Sequence, residues 1–366
     1  MAGQRALSRL RRPDGACLGL PPLPRLRLGA LRVTDGRPGT HGRTELMAFP
    51  GRPSVHASGR PKFVHLPIRS ILNSPQQTGM GFWSLNPYVG CEFGCSYCYA
   101  RFAHRYVVER GEAGAAAAWT DDAFERQVFV KREAPDVLAL TLKPSRLEGA
   151  AIVIGTATDP YQPAERQFRI TRRILERLAQ LHGLNVSLIT KSPLVARDLD
   201  VLARLAERGR VTVYCSLISV DVPLIRKLEA RSPMPPVRLR ALAKLVEGGI
   251  HAGVMLAPIL PGITDTVPQL LALMRAAKAA GAAFVHADPL RLYPAVRATL
   301  LPVVARHFPA LLARYERAFD ERGRVTETYA RALGRRVERL RRRTGFGGHE
   351  RASGPASEPL QWTLPL

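Results

Sequence analysis

The chain has 366 residues, 46% of them hydrophobic and 23% charged, which is too apolar for a disordered protein and enough to bury one large core. No apolar run reaches the roughly 18 residues of a membrane span, and the opening MAGQRALSRLRRPDG lacks the apolar stretch of a secretory signal. The formal charge of +24 points to polyanions as partners, and an odd count of five cysteines, three of them crowded from Cys91 to Cys98, speaks for a ligand cluster in the reducing cytoplasm rather than a disulfide framework.

Residues 1–62 carry twelve Lys/Arg against three acids, are rich in Arg, Pro and Gly, and are expected to form a disordered extension. Met47 lies inside it as an expected alternative start. Order is expected from Phe63-Val64-His65-Leu66 onward. Strands are predicted at Trp83–Val89, Ala151–Thr156, Val186–Thr190, Val211–Leu217, Ala252–Ala257 and Phe284–Pro289. Helices are predicted at about 99–110, 166–182, 194–208, 236–248, 266–280 and 297–307. In the second of these Ile170, Ile174, Leu175, Leu178 and Leu181 share one face. Gly183, Gly209, Gly248-Gly249 and Gly281 follow helices, as C-terminal caps do. Between 111 and 150, Phe124–Lys131 reads as an added strand and Ala134–Leu142 as a short helix. A basic helical segment, 311–344, ends in Arg341-Arg342-Arg343, and a disordered tail is expected over 345–366.

Six strand–helix units imply a parallel sheet with right-handed crossovers, whose active site lies at the C-terminal ends of the strands. Polar residues do gather just after the strands: Asp159 after the second, Lys191-Ser192 after the third, Ser219 and Asp221 after the fourth, Pro261-Gly262 after the fifth and Arg291 after the sixth.

Asn86-Pro87-Tyr88-Val89-Gly90 leads into Cys91-Glu-Phe-Gly-Cys95-Ser-Tyr-Cys98, a C-x3-C-x2-C spacing between a strand and a helix. Three thiolates on a tight loop can hold three irons of a [4Fe-4S] cubane and leave the fourth open to chelate a cofactor. The competing reading is zinc, which takes four ligands and would have to borrow Cys215, Cys17 or a histidine such as His104. No second C-x2-C exists.

This motif, with Tyr97 before the third cysteine, resembles that of the radical S-adenosylmethionine (radical SAM) superfamily. The stretches Asn86–Phe102, Gly155–Glu165, Ile189–Ser192 and Val254–Asp265 resemble its spore photoproduct lyase-like branch, described as DNA repair photolyase-like. The resemblance covers roughly 64–310 and implies a partial (β/α)6 TIM-like barrel over 63–310. It implies a [4Fe-4S] cluster on Cys91, Cys95 and Cys98. The cluster would donate an electron to SAM, giving methionine and a hydrogen-abstracting 5′-deoxyadenosyl radical, with a flavodoxin- or ferredoxin-type reductant. It implies that Tyr97 packs near the adenine, that Gly155, Thr156 and Thr158 match the region meeting the SAM amino group, and that Ser216 and Ser219 match the region meeting ribose or carboxylate. Pro258-x-Leu260-x-Gly262-x-x-Asp265 matches the adenine motif of the fifth strand only loosely.

Plainer roles stand beside these. Gly155 can serve close packing and Thr156 a strand; Asp159 and Glu165 can cap a helix, while Asp159 and Ser192 also stand among candidate cofactor contacts. Lys191, ending an apolar strand at the mouth, is expected to meet an anion. His286 can be a core or a site histidine, and Arg291 a carboxylate contact. The branch's lyase uses an extra cysteine as hydrogen donor; none stands here at a matching position, and Cys215 reads as a small core hydrophobe. The basic charge favours nucleic acid, against the plain alternative of Arg usage in a GC-rich genome; no RNP, helix-turn-helix or zinc-finger pattern accompanies it. Three functions are therefore in play: a radical SAM enzyme with DNA as the family-level substrate, an iron–sulfur electron-transfer or structural protein, and a zinc-bearing nucleic-acid-binding module.

Overall fold

The computed structural model describes residues 61–347, apart from 110, 112–122, 144–146 and 148. Most of the N-terminal extension with Met47 and Cys17, and the tail from 348, lie outside the described residues.

Six strands lie side by side in chain order, all parallel: β3 (Trp83–Leu85), β6 (Ala151–Ile154), β7 (Asn185–Thr190), β8 (Arg210–Ser216), β9 (His251–Ile259) and β10 (Val285–Pro289). A helix follows each of the later strands, so every crossover returns the chain to the next parallel position. This is the partial (β/α)6 barrel. β2 (Leu72–Asn73) pairs antiparallel with β3 and closes that edge. At the other edge the helix Glu327–Arg343 packs on β10 and on the helix Val267–Ala279, covering a strand whose backbone would otherwise stand open. A smaller sheet joins β1 (Lys62–His65), β5 (Gln127–Val130) and β4 (Tyr88–Val89), with β1 parallel and β4 antiparallel to β5.

The core under the large sheet is built from residues that alternate along the strands. Val186 and Leu188 of β7, Val211, Val213 and Cys215 of β8, and Ala252, Val254 and Leu256 of β9 are all buried there. Against them the helices press Ile170, Ile174, Leu175 and Leu178, then Val201, Leu202 and Leu205, then Leu242 and Leu245. Cys215 is a member of this core, as its position in an apolar strand predicts.

Several boundaries differ from the sequence reading. The predicted strand Trp83–Val89 is two strands, because Pro87 has no N–H to give a ladder and the chain steps there from the large sheet to the small one. Gln127–Val130 is a strand, but Ala123–Arg126 ahead of it is a helical turn. The predicted helix 166–182 is broken at Arg169, which adopts φ 52 between Ala164–Phe168 and Ile170–Leu178. The region 194–208 opens as a 3-10 turn, Pro193–Asp198, before the helix Leu199–Arg208. A helix at Val222–Leu228, capped by Asp221 through the Leu224 N–H at 2.9 Å, had no counterpart in the sequence reading. The basic segment 311–344 is two helices, Leu312–Arg317 and Glu327–Arg343. Gly209 does not take the left-handed cap conformation; its φ is −165, and a Cβ there would meet the Leu184 carbonyl oxygen at 2.3 Å, so close packing selects the glycine. Order also runs past the expected limits: Lys62 begins β1, and Phe346 is buried in the main core.

Candidate functional site

Gly90 starts the cysteine loop. Its φ of 90 is open to glycine, and a Cβ would stand 2.8 Å from the Gln127 carbonyl oxygen. The turn delivers the Cys91 N–H to the Phe124 carbonyl at 2.9 Å. A second positive-φ glycine, Gly94, bends the loop again, and the Cys98 N–H donates to the Cys95 carbonyl at 3.2 Å.

Three neighbouring segments hold this loop. From the loop after β6, Thr158 Oγ1 donates to the Gly90 carbonyl at 2.6 Å and Gln162 Nε2 reaches the same oxygen at 3.1 Å. Gln162 Oε1 accepts the Glu92 N–H at 3.0 Å, and Glu92 Oε1 accepts the Ala164 N–H at 2.7 Å. From the end of the helix Val222–Leu228, the Leu228 carbonyl accepts both the N–H and the hydroxyl of Ser96, at 2.9 and 3.0 Å, and Cys95 forms a lone antiparallel bridge with Glu229. From the helix Pro294–His307, Thr299 Oγ1 donates to the Ser96 carbonyl at 2.6 Å.

The thiols are dry. Cys91 and Cys95 are buried, and Cys98 is half-buried. Burial pushes the Cys91 thiol well up, with Asp159 and the other two sulfurs adding to it. Burial takes Cys95 to about 12 against the pull of Lys191, and it raises Cys98 against the charges of Arg101 and Lys191. Cys91 feels the charge of both other sulfurs and Cys95 that of Cys98, as three thiols on one eight-residue loop would. Thiolates in poorly hydrated surroundings repel one another, and a multivalent cation that displaces their protons supplies the missing counter-charge. Among the described residues no group of three or more His, Cys, Asp or Glu side chains is gathered as for a single ion. A cubane asks something different, one thiolate on each of three irons.

Of the residues named as a possible fourth zinc ligand, Cys17 lies outside the described residues and the other two are engaged elsewhere. His104 is fully buried, with Nε2 2.8 Å from the Gln127 carbonyl and its ring 4.9 Å from that of Phe129. Cys215 sits among core side chains of β8, where burial raises its thiol to about 12. The donor set fits a three-cysteine cluster.

Around the loop stand the other residues singled out in the sequence. Gly155, at φ 94, follows β6; a Cβ there would meet the Ile189 carbonyl at 2.5 Å, and its N–H donates to the Leu85 carbonyl at 3.1 Å. Thr156 Oγ1 lies 2.6 Å from Ser84 Oγ and accepts from Asn86 Nδ2 at 2.9 Å, while its carbonyl accepts the Tyr99 hydroxyl. Asp159 accepts from Thr190 Oγ1 at 2.6 Å and from the backbone N–H groups of Lys191 and Tyr161 at 2.7 and 2.9 Å, and burial raises its carboxyl in spite of them. Asp159 thus ties the end of β6 to the end of β7. Ser192 caps the 3-10 turn through the Leu194 N–H at 3.3 Å. Ser216 ends β8 and Ser219 follows it, both buried; the Ser216 carbonyl accepts from Arg238 at 2.9 Å and Ser219 Oγ accepts the Asp221 N–H at 3.1 Å.

Lys191 Nζ stands 5.6 Å from the centre of the Tyr97 ring. Burial works against its ammonium, but Cys95 and Glu229 outweigh it and raise the group. Tyr97 is 4% exposed, and its hydroxyl donates to Glu229. Glu165, by contrast, lies away from the mouth: fully buried, it accepts the Thr171 and Arg172 N–H groups at 2.9 and 3.1 Å and so caps the helix Ile170–Leu178. His286 pairs with Asp288 at 2.7 Å on β10, and Arg291 is half-buried after that strand.

Sequence reasoning missed a buried network of Glu229, Ser232 and Arg238. Glu229 bonds Arg238 and Tyr97, and accepts from Ser232 Oγ at 2.5 Å; Arg238 also donates to Ser232 Oγ at 2.6 Å. The signal that could have found it, a carboxylate at the C-terminal end of a helix where it opposes the helix dipole, depended on the helix Val222–Leu228, which the sequence reading lacked. Asn86 and Gln162 gave no such sign.

The Radical SAM superfamily profile matches residues 85–274. The chain belongs to the Radical SAM superfamily. An uncharacterized protein of Mycobacterium tuberculosis is 32% identical over 302 residues, 81% of this chain and 86% of its own length. An uncharacterized protein of Methanocaldococcus jannaschii is 31% identical over 181 residues, half of this chain and 61% of its own. Among solved structures, spore photoproduct lyase complexed with dinucleoside spore photoproduct superposes with a TM-score of 0.55 at 15% identity, covering 77% of this chain and 79% of that one. A spore photoproduct lyase variant with bound AdoMet and the same dinucleoside gives 0.53 at 14%. At that identity the likeness shows the fold alone. As a radical SAM enzyme the chain works with SAM, an iron–sulfur cluster and an external reductant; no helix among its described residues is long and apolar enough to cross a membrane.

Proposed function

We propose that this radical SAM enzyme holds a [4Fe-4S] cluster on Cys91, Cys95 and Cys98, binds SAM over the strand ends, and abstracts hydrogen from a nucleic-acid substrate. The observation that carries the reading is the trio of thiols on one loop, two of them buried, with His104 and Cys215 committed elsewhere. When bound, the cluster and SAM supply one-electron cleavage and a hydrogen-abstracting radical. The chain's own residues bind, orient and exclude water. Lys191 would offer a cation to the SAM carboxylate, Gly155 and Thr156 would meet its amino end, and Tyr97, Ser216 and Ser219 would help hold the rest of it. Thr158, Gln162 and Ser96 keep the loop still, and the burial of Cys91, Cys95 and Tyr97 limits water beside the reacting groups. Its place of work is the cytoplasm, with a flavodoxin or ferredoxin as electron source.

Nucleic acid is favoured by charge. On the helix Glu327–Arg343, Leu333, Val337 and Leu340 face the core, while Arg335, Arg339 and Arg343 stand exposed one helical turn apart beside Gly334 and Arg342. Such a row suits a line of phosphates. Two measurements test the reading. The anaerobically reconstituted, reduced chain should convert SAM to 5′-deoxyadenosine, and absence of any product would reject the chemistry. Its affinity for an oligonucleotide should fall steeply with salt, and replacing Arg335, Arg339 and Arg343 by Gln should flatten the log–log slope by about 0.9 for each phosphate no longer neutralised. A slope near zero in the parent chain rejects the substrate class and leaves the chemistry intact.

A further inference from the structure

The pair Glu229–Arg238 is buried almost completely, with side chains 0% and 1% exposed. Two charges removed from water this thoroughly are weak stabilisers, since well-packed apolar residues of like volume often serve stability as well. Their location offers another reason for keeping them. The Glu229 backbone bridges Cys95, and its neighbours brace the loop on either side: the Leu228 carbonyl takes Ser96, and the Arg231 N–H donates to the Phe93 carbonyl at 3.1 Å. The Glu229 carboxylate holds the Tyr97 hydroxyl and attracts the Lys191 ammonium. Arg238, from the helix Pro235–Glu247, fastens the opposite side of the carboxylate and reaches the Ser216 carbonyl at the end of β8. One ion pair therefore spans the cysteine loop, the ends of β7 and β8, and the two side chains that flank the mouth.

We propose that Glu229 and Arg238 are positioning residues for the cofactor site: the carboxylate fixes Tyr97 and Lys191 in register with the cysteine loop, and the two charges bias the cluster's reduction potential in opposite directions. The inference rests on the functional reading above. Reduction adds one negative charge to the cluster, so a nearby carboxylate disfavours it and a nearby guanidinium favours it. The charges facing Cys95 are Lys191 and Arg238 on the positive side, and Glu229 with the Cys98 sulfur on the negative side. Neutralising Glu229 leaves the cluster in more positive surroundings; neutralising Arg238 does the reverse. A pair that merely braced the loop would give no such opposition of sign.

The test is a spectroscopically monitored redox titration of the reconstituted full chain, with iron content and circular dichroism measured alongside. Glu229→Gln should raise the midpoint potential, Arg238→Met should lower it, and the double variant should return toward the parent. Glu229→Asp keeps the charge on a shorter arm and guards against misfolding of the neutral variants. It should hold the parent potential while SAM affinity, measured by equilibrium binding, weakens about tenfold as Tyr97 and Lys191 lose their register. Iron-loaded variants whose potentials shift in the same direction or stay fixed would overturn the electrostatic half. Unchanged SAM affinity in Glu229→Asp would overturn the positioning half. A parent chain that assembles no cluster sinks the functional reading itself, whereas a parent with a normal cluster indifferent to these substitutions sinks this inference alone.

Discussion

Two hydrophobic cores in this protein do different work. The larger lies under the sheet and is almost wholly aliphatic: Ile152, Ile154, Val186, Leu188, Val213 and Leu256 with the inner faces of the helices. The second lies at the mouth and encloses Cys91, Cys95 and Tyr97 among Phe93, Phe124, Ile218, Leu260 and Leu292, with the helix Pro294–His307 behind them. In the first, burial of apolar surface is the purpose and stability the result. In the second, the apolar wall lowers the local dielectric, so that a few charges such as Lys191, Glu229 and Arg238 act strongly on each other and on the sulfurs. The same physical operation, exclusion of water, serves folding in one place and chemistry in the other. Gly155 sits on the seam between them, joining the end of β6 to the site.

Substitutions can break this comparison or sharpen it. The largest effect belongs to the cysteines: Cys95→Ala should abolish SAM cleavage outright while the unfolding free energy of the cluster-free chain changes by only about 1 kcal/mol, because a thiol is small. A variant that still makes 5′-deoxyadenosine would contradict the ligand assignment. Leu188→Ala in the larger core should behave inversely, costing about 2–5 kcal/mol in a denaturant titration while iron binding per folded molecule stays at the parent level. At the seam, Gly155→Ala asks for a left-handed backbone and a Cβ 2.5 Å from a carbonyl oxygen. It should cost about 1–3 kcal/mol and disturb both stability and SAM affinity; a neutral result would mean that the ends of β6 and β7 move apart freely. The smallest effect is electrostatic. Burial alone would raise the Glu229 carboxyl, but Arg238 and Lys191 outweigh it and hold the group at about 2, below its ordinary value of 4.5. With the folded value depressed, its contribution is fully present above pH 4.5 and is lost as the pH falls toward 2. Denaturant midpoints of the parent should therefore drop through that window more steeply than those of Glu229→Gln; parallel curves would contradict the depressed value.

Much of this architecture was legible in the residues. Apolar runs alternating with amphipathic helices specify six parallel strands, because period-2 and period-3.6 patterns can bury their faces in only a few ways. The C-x3-C-x2-C spacing marks a ligand loop, and the polar residues after the strands mark the mouth. Local chemistry carries such signals: spacing, caps and breakers lie within a few residues of one another. Boundaries that depend on distant partners were not legible. The split at Asn86-Pro87 requires β5 to exist as a neighbour for Tyr88, and the left-handed Arg169 is held where Glu165 caps the helix beyond it.

The sequence alone determined the strand–helix repeat, the cysteine loop and the basic surface, since each is a pattern of near neighbours along the chain. Only the tertiary structure decided which groups meet across it: Asp159 with Thr190, Gln162 with the Gly90 carbonyl, and Glu229 with Tyr97, 132 residues apart in sequence. The physical reason is that a buried charge or hydrogen bond is dictated by whichever partner arrives from another strand end, and no local periodicity encodes that arrival.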